Sequence, residues 1–485
     1  MKTFHFILFT SLLLISCSHH VPSDLPSATV MADADTLLQK IDGFGVNITP
    51  AQWLGGNLKP VLDMLVNDLG ANLFRFDCYG LADWFDPEER NEKGKYPPEY
   101  LEKVYTSAVF TDAWETFRYL NALGIEPHFN VSGRIPPTLG FAENPKELSD
   151  FDGYAEMVVS ILWWAREKEH LQFSVLSPFN ETDLSYPEGP GLRPDNIPPA
   201  VSAIVRKLNE YGLGDIRLIV MDDAAVDINR IQPLLQDASF TGKIKAFGFH
   251  TYGNGGESEP PCNWFNSPTP LKQMAEQINK SIYRNTPLWL TEYGDLDQTG
   301  LIEYEFAWRS TRRLIKALND GFSAGIAWDA YDNFHLHDTA WALYGLLETD
   351  TIHWKYTPRP RYYTAKHLFR HVLPGFFKIA LIPADTVKKS DIYKIWHDPL
   401  RHIRMVAFTS PDRMHFTLVG MNLIEKDFRL KIELKGFNFH SGQNLYYYVT
   451  SPEKNYERMR PVPVKNNCTE MILNGKCIFT LTSIP

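Results

Sequence analysis

The chain has 485 residues, 44% hydrophobic and 22% charged, with a formal net charge of −10 at pH 7. An acidic chain without basic runs is repelled by phosphate backbones, which argues against a nucleic-acid partner and for a neutral or weakly charged substrate. The length exceeds a typical single domain, so a large catalytic unit with a smaller module is expected.

At the N-terminus, Lys2 precedes an apolar run over residues 6–15, too short to span a bilayer as a mature helix. This reads as an export signal. Leu14-Ile15-Ser16-Cys17 has the form of a lipoprotein cleavage site, so residues 1–16 are expected to be removed and Cys17 acylated. Membrane contact is then expected only through that anchor, with the protein a monomer held at the cell envelope. Four further cysteines remain, Cys78, Cys262, Cys468 and Cys477, without any CxxC pair. Cys468 and Cys477 are close enough in sequence to form a hairpin disulfide in an oxidising compartment, whereas Cys78 sits in an apolar run and reads as a buried thiol.

Residues 17–38 form an N-terminal segment. From 39 to 372, short apolar runs alternate with amphipathic helical stripes, the pattern of a parallel sheet covered by helices. The predicted strands are 41–47, 72–78, 126–131, 173–178, 216–221, 244–249, 287–291 and 325–330. Between them, stripes such as Leu62, Leu65, Val66 and Leu69, or Tyr154, Met157, Val158, Ile161 and Ala165, hold i, i+3, i+4 spacing. Eight strand–helix repeats predict a (β/α)8 TIM barrel.

From 373 to 485 the period becomes two. Phe428, Leu430, Ile432 and Leu434 alternate with Arg429, Lys431, Glu433 and Lys435, and 403–408, 414–419, 445–449 and 477–481 read alike. These predict an antiparallel β-sandwich side domain, which residues 28–38 can join from the N-terminal side.

Reactive groups of a parallel barrel collect at the C-terminal ends of its strands. The fourth predicted strand ends in Ser177-Pro178-Phe179-Asn180-Glu181, and the seventh in Trp289-Leu290-Thr291-Glu292-Tyr293-Gly294. Two glutamates thus reach one rim. Cleaving a glycosidic bond with retention requires two carboxyl groups about 5 Å apart, one protonated to donate to the leaving oxygen and one ionised to attack the anomeric carbon. The charge of one raises the pKa of the other and keeps the acid loaded. Glu181 is the expected acid/base and Glu292 the expected nucleophile.

The Asn-Glu of strand four with the Glu of strand seven resembles clan A of the retaining glycoside hydrolases, and within it the chain is most similar to glycoside hydrolase family 30. Gln39-Lys40-Ile41-Asp42-Gly43-Phe44-Gly45 resembles that family's entry into the first barrel strand. Phe249-His250-Thr251-Tyr252 resembles its strand-six motif and Leu290-Thr291-Glu292 its nucleophile motif. Pro358-Arg359-Pro360-Arg361-Tyr362-Tyr363, with Phe369-Arg370 and Leu373-Pro374-Gly375, resembles its passage from barrel to side domain. The resemblance covers nearly the whole mature chain and implies a side sandwich built from both termini. Two stretches depart: Thr182 stands where family members commonly have Pro, and Asn130-Val131-Ser132-Gly133-Arg134-Ile135-Pro136-Pro137 where they carry a Trp-Ser-Pro-Pro-like stretch. Both flank the sugar subsites, so they bear on substrate rather than on reaction.

Further roles follow from position. Asn180 is expected to bond the sugar 2-hydroxyl, and Arg75 to hold the nucleophile ionised. Tyr252 is expected to donate to Glu292, with His250 on the same wall and Trp328 as a platform beneath the sugar. Trp53, Tyr79 and Trp84 are candidate subsites, and Asp222 and Asp223 candidate ligands of sugar hydroxyls. Arg134 and Arg193 lie in rim loops, but no basic cluster dedicated to a uronic acid stands out. No cofactor or metal is expected: the HxH of His335-Leu336-His337-Asp338 follows strand eight rather than strand one, and His19-His20 stand alone. Family analogy favours a β-1,4-xylan-type backbone or a β-1,6-linked glucan or galactan. The competing reading is a non-catalytic glycan-binding lipoprotein on a hydrolase-like barrel, against which the retention of both glutamates with Asn180, Arg75 and Tyr252 weighs.

Overall fold

The computed structural model describes residues 25–49, 53–184, 188–252, 269–295, 303–332, 344–350, 352–384, 398–440 and 442–485. The expected export signal with Cys17, the His19-His20 pair, Cys262 and the His335–Asp338 stretch lie outside these residues.

Eight parallel strands close a barrel: Gly43–Ile48, Leu73–Tyr79, His128–Ser132, Val175–Ser177, Arg217–Asp223, Ile244–Thr251, Leu288–Tyr293 and Ala324–Ala327, the last pairing back to the first. They are the eight runs read from the sequence, shifted by one to three residues at their ends. Strand interiors are wholly buried because one face looks into the barrel and the other onto helices, which is why the runs are apolar rather than alternating. Inside the barrel, Ile219, Ala246, Trp289, Ala324 and Ile326 form a separate core. The first and second strands approach unusually closely: a Cβ on Gly45 would lie 1.6 Å from the Leu73 carbonyl oxygen. Only glycine fits there.

The second unit is a ten-stranded sheet. Its order is Lys454–Arg458, Asn444–Ser451, Cys477–Thr482, Phe416–Asn422, Ile403–Thr409, Phe377–Pro383, Ser27–Lys40, Phe428–Lys435 and Cys468–Leu473, with Val462–Pro463 beside Asn444–Ser451. The pairing is antiparallel except where Ser27–Lys40 runs parallel to Phe428–Lys435, so the side domain is mixed rather than purely antiparallel. The N-terminal strand enters from the opposite end of the chain, and no hairpin constrains its direction. The sheet curls on itself around one core: Tyr447 Oη donates to the Ile472 carbonyl at 3.4 Å, although their strands lie far apart in the sheet order.

Cys468 and Cys477, close enough in sequence for a disulfide, do not form one, and both thiols are free. The strands carrying them are consecutive in sequence but not paired. Cys468 lies opposite Glu433 on one strand, while Cys477 lies opposite Asn422 on another. Cys78 is buried and free.

Helix Pro360–Phe369 binds the two units together. His367, fully buried, bonds Thr480 Oγ1 through Nδ1 at 2.7 Å and Thr450 Oγ1 through Nε2 at 2.8 Å. Tyr304 Oη adds a bond to the Lys476 carbonyl at 2.9 Å.

Candidate active site

Strand alternation delivers the site. Arg75 and Asp77 share one face of the second strand, and the third strand presents Asn130 and Ser132 in the same way. Arg75 is fully buried and its guanidinium is the hub. Nη1 donates to Asn47 Oδ1 at 2.8 Å and to Glu292 Oε1 at 2.7 Å; Nη2 donates to Asn180 Oδ1 at 2.6 Å and to Asp222 Oδ2 at 3.2 Å. Charge-assisted bonds of this kind fix geometry as well as charge. Tyr252 Oη donates to Glu292 Oε2 at 2.7 Å, so both oxygens of that carboxylate are held.

Glu181 leaves the fourth strand with φ 45°, its amide donating to the Asp222 carbonyl at 2.8 Å. This left-handed conformation turns the side chain into the mouth. One oxygen each of Glu181 and Glu292, with a ring nitrogen of His250, lie within 4.8 Å of one another. His250 Nδ1 is 2.8 Å from Glu181 Oε1 and 3.5 Å from Glu292 Oε2, and its Nε2 is 3.4 Å from Asp222 Oδ1. Both ring nitrogens therefore face carboxylates.

The electrostatics follow. Burial alone would lower the His250 pKa, but the charges of Glu292 and Glu181 and the contact with Asp222 hold it well above its ordinary value. Burial pushes Glu292 up to about 7, with His250, Arg75 and Tyr252 pulling down and the Glu181 charge pushing up. Asp222 is pushed up by burial, yet Arg75 and His250 outweigh that and hold it far below the usual carboxylate range.

The structure brings Glu181, Glu292, Asn180, Arg75, His250 and Tyr252 into one network. Asp222 belongs to it from beneath: it is 1% exposed, and its Oδ2 accepts from Arg75, from Ser177 Oγ at 2.7 Å and from Asn130 Nδ2 at 3.3 Å. Asp223 is equally buried, accepting from Thr182 Oγ1 at 2.8 Å and Arg230 Nε at 3.0 Å. These aspartates end a strand in sequence, but the turn that starts with φ 74° at Met221 folds both inward.

The aromatics divide. Trp328 is half-buried at the end of strand eight, with Gly294 packed between its carbonyl and the Tyr252 ring. Tyr79 is half-buried beside Glu188, Asp77 and Arg134, and burial raises its hydroxyl to about 12. Trp53 is instead engaged in the outer helical layer, 5.6 Å from the Tyr119 ring with Lys59 Nζ above it. Trp84 packs edge-on against Phe110. Both turn outward onto helix Ala108–Ala122, Trp53 from a loop and Trp84 from the end of the short helix Leu81–Trp84. Arg193 is paired with Glu147 at 2.6 Å, whereas Arg134 is exposed.

Four polar residues escaped the sequence reading. Asn47, Asn130 and Ser132 carry a legible signal, being polar positions on the inward face of apolar strands. Glu188 carries none, since it lies in a loop. Its carbonyl accepts from Asn180 Nδ2 at 3.0 Å.

No family model matches the chain, and no curated protein matches it. Solved structures do. A family 30 endoxylanase from Clostridium papyrosolvens C71 superposes with a TM-score of 0.67 at 16% identity, over 94% of this chain and 99% of that one. A conserved exported protein from Bacteroides fragilis gives 0.69 at 15% identity, over 94% and 100%. An endo-β-1,6-glucanase gives 0.63 at 14% identity, over 94% of each chain. The fold is that of the family 30 glycoside hydrolases. On this family 30 fold, the departure at Thr182 has a local reason: its hydroxyl closes a buried bridge to Asp223 and accepts from Arg230 Nη2 at 2.8 Å, which a proline could not do.

Proposed function

We propose that the protein is a retaining glycoside hydrolase of β-linked glycans, with Glu181 as acid/base and Glu292 as nucleophile. One observation carries this reading: two carboxyl groups with oxygens within 4.8 Å, held by unequal sets of donors. Among the described residues, Glu292 receives Arg75 and Tyr252, whereas Glu181 is bonded to His250. These donors suit Glu292 to the role of ionised nucleophile and leave Glu181 for that of proton donor. That closeness supports retention, for which the two carboxyl groups lie about 5 Å apart, over inversion, which needs a wider gap.

In the first step a Glu292 oxygen attacks the anomeric carbon while the Glu181 proton passes to the departing glycosidic oxygen. A glycosyl ester on Glu292 results, and Glu181 is left ionised. In the second step Glu181 takes a proton from water as that water attacks the same carbon, releasing Glu292 and restoring the acid. Asn180, locked by Arg75 and by the Glu188 carbonyl, orients its amide towards the sugar 2-hydroxyl. Trp328 serves as the platform beneath the ring.

The endoxylanase and the endo-β-1,6-glucanase that share the fold support a β-xylan-type or β-1,6-glucan or galactan-type substrate. The acylated Cys17 would keep the enzyme, a monomer, at the cell envelope. A polysaccharide panel with product sizing, run on the wild type and Glu292→Gln, tests the reading. Sugar release by the wild type alone supports it. Binding without release by the wild type would overturn it in favour of a non-catalytic glycan-binding protein.

A further inference from the structure

The turn that carries Glu181 is held from outside the mouth. At φ 45° Glu181 has a left-handed backbone, which a residue with a side chain keeps only where surrounding contacts over-determine it. Its amide donates to the Asp222 carbonyl at 2.8 Å, and its carbonyl accepts from the Leu184 amide at 3.1 Å. The Thr182 carbonyl accepts from the Leu192 amide at 3.1 Å. Both oxygens of Asp183 accept backbone amides beyond the fifth strand, from Ala224 at 2.9 Å and Ala225 at 2.8 Å.

One side chain closes these ties. Arg230 projects from helix Ile228–Leu235 and is mostly buried. Its Nε donates to Asp223 Oδ2 at 3.0 Å, Nη1 to the Leu192 carbonyl at 3.1 Å and Nη2 to Thr182 Oγ1 at 2.8 Å. The Thr182 hydroxyl donates onward to Asp223 Oδ1 at 2.8 Å, so guanidinium, hydroxyl and carboxylate form a closed ring of hydrogen bonds. Thr182, Leu192 and Asp223 are all buried. A planar guanidinium with its donors in a fixed fork sets the spacing of these groups as well as their charge. The ring joins the residues that follow Glu181 and Asp222, and so braces both ends of the bond between the Glu181 amide and the Asp222 carbonyl.

We propose that Arg230 is a positioning residue for acid catalysis: through Thr182 and Asp223 it fixes the backbone from which Glu181 reaches the glycosidic oxygen. The assignment rests on the reading of Glu181 as acid/base and Glu292 as nucleophile, and it makes proton donation depend on a residue outside the mouth. Glu292 is held separately, by Arg75 and Tyr252, so loosening the ring spoils proton donation before it spoils attack. Threonine at 182 follows, because the ring needs a group that both accepts and donates.

The leaving group separates the two effects. For 2,4-dinitrophenyl and phenyl β-glycosides of the sugar that the polysaccharide panel identifies, kcat/KM reports attack alone with the first and attack with proton donation with the second. Arg230→Met and Thr182→Val should each lose about 10–100-fold more on the phenyl glycoside than on the dinitrophenyl one. Thr182→Ser, which keeps the hydroxyl, should hold the wild-type ratio. Thr182→Val leaves Arg230 paired with Asp223, so the ring is still tested if Arg230→Met does not fold. Equal losses on both substrates in a folded Arg230→Met or Thr182→Val, or the same split in Thr182→Ser as in Thr182→Val, overturn the proposal. A wild type that cleaves neither glycoside, or Glu292→Gln that cleaves them as the wild type does, is a failure of the glycosidase reading itself and takes this assignment with it.

Discussion

Two buried histidine networks, one at the barrel mouth and one at the junction with the sheet, solve opposite problems with the same side chain. His250 sits among Glu181, Glu292 and Asp222, and these carboxylates hold its pKa well above the ordinary value despite full burial. His367 bonds the hydroxyls of Thr480 and Thr450 and packs on the Tyr456 ring, and burial, with His371 beside it, drives its pKa well below. Its neighbour His371, bonded to Tyr456 Oη and stacked on Tyr448, is lowered to about 3 by burial and by Arg370 and Lys366. Burial penalises the charge in both places; only at the mouth do enough counter-charges converge to reverse it. The mouth therefore holds a buried charge, and the junction excludes one.

The largest expected effect comes from deleting the charge at the centre of the mouth. Glu292→Gln should lower kcat by about 10⁴-fold or more with the fold intact, as read by steady-state kinetics beside circular dichroism. Nothing comparable should follow a substitution at the junction. Next is Arg75→Met, which leaves Asp222 and Glu292 buried without their cation. Removing one partner of a buried charged set costs about 3–5 kcal/mol, so chemical denaturation should show a loss of that order along with loss of activity. Glu181→Ala should cost about 10²–10⁴-fold on substrates with poor leaving groups and much less on aryl glycosides, with azide restoring turnover.

The comparison predicts stability profiles of opposite slope. The junction histidines have lowered folded pKa values. Their contribution is complete above the unfolded value near 6.5 and is lost as pH falls towards their folded values, because the unfolded chain binds protons that the folded chain refuses. Each should contribute a slope of about 1.4 kcal/mol per pH unit in that window. His367→Gln should flatten the decline of Tm on acidification. His250, with a raised folded pKa, contributes stability that is complete below about 6.5 and is lost as pH rises through its folded value; His250→Gln should flatten that alkaline side instead. Identical Tm–pH profiles for the two variants would break the distinction. The smallest effect belongs to the side domain: with Cys468 and Cys477 free, a reductant should leave Tm unchanged.

The mouth was far more legible in the sequence than the junction. Strands of a parallel barrel are short continuous apolar runs, and the groups that follow each run must emerge at one rim, so Glu181, Glu292, Arg75 and Tyr252 could be placed from their strand positions alone. Asp222 and Asp223 defeated the same logic because the backbone turns inward at Met221, a conformation no periodicity encodes. Trp53 and Trp84 lie beyond the strand ends, where the chain has turned onto helix Ala108–Ala122. Glu188 depends on a loop that returns to Asn180 through backbone contacts, and the cysteine hairpin on a strand order that sequence proximity does not determine. His367 looks like any polar residue of a helix until the C-terminal strands Asn444–Ser451 and Cys477–Thr482 cover it.

The central claim, that Glu292 attacks the sugar and Glu181 assists, is tested most directly by trapping. An activated 2-deoxy-2-fluoro β-glycoside of a sugar found to be cleaved should inactivate the enzyme with one sugar added, and peptide mass spectrometry should place that sugar on Glu292. A sugar found on another residue, or a fully active enzyme without an adduct, would contradict the account.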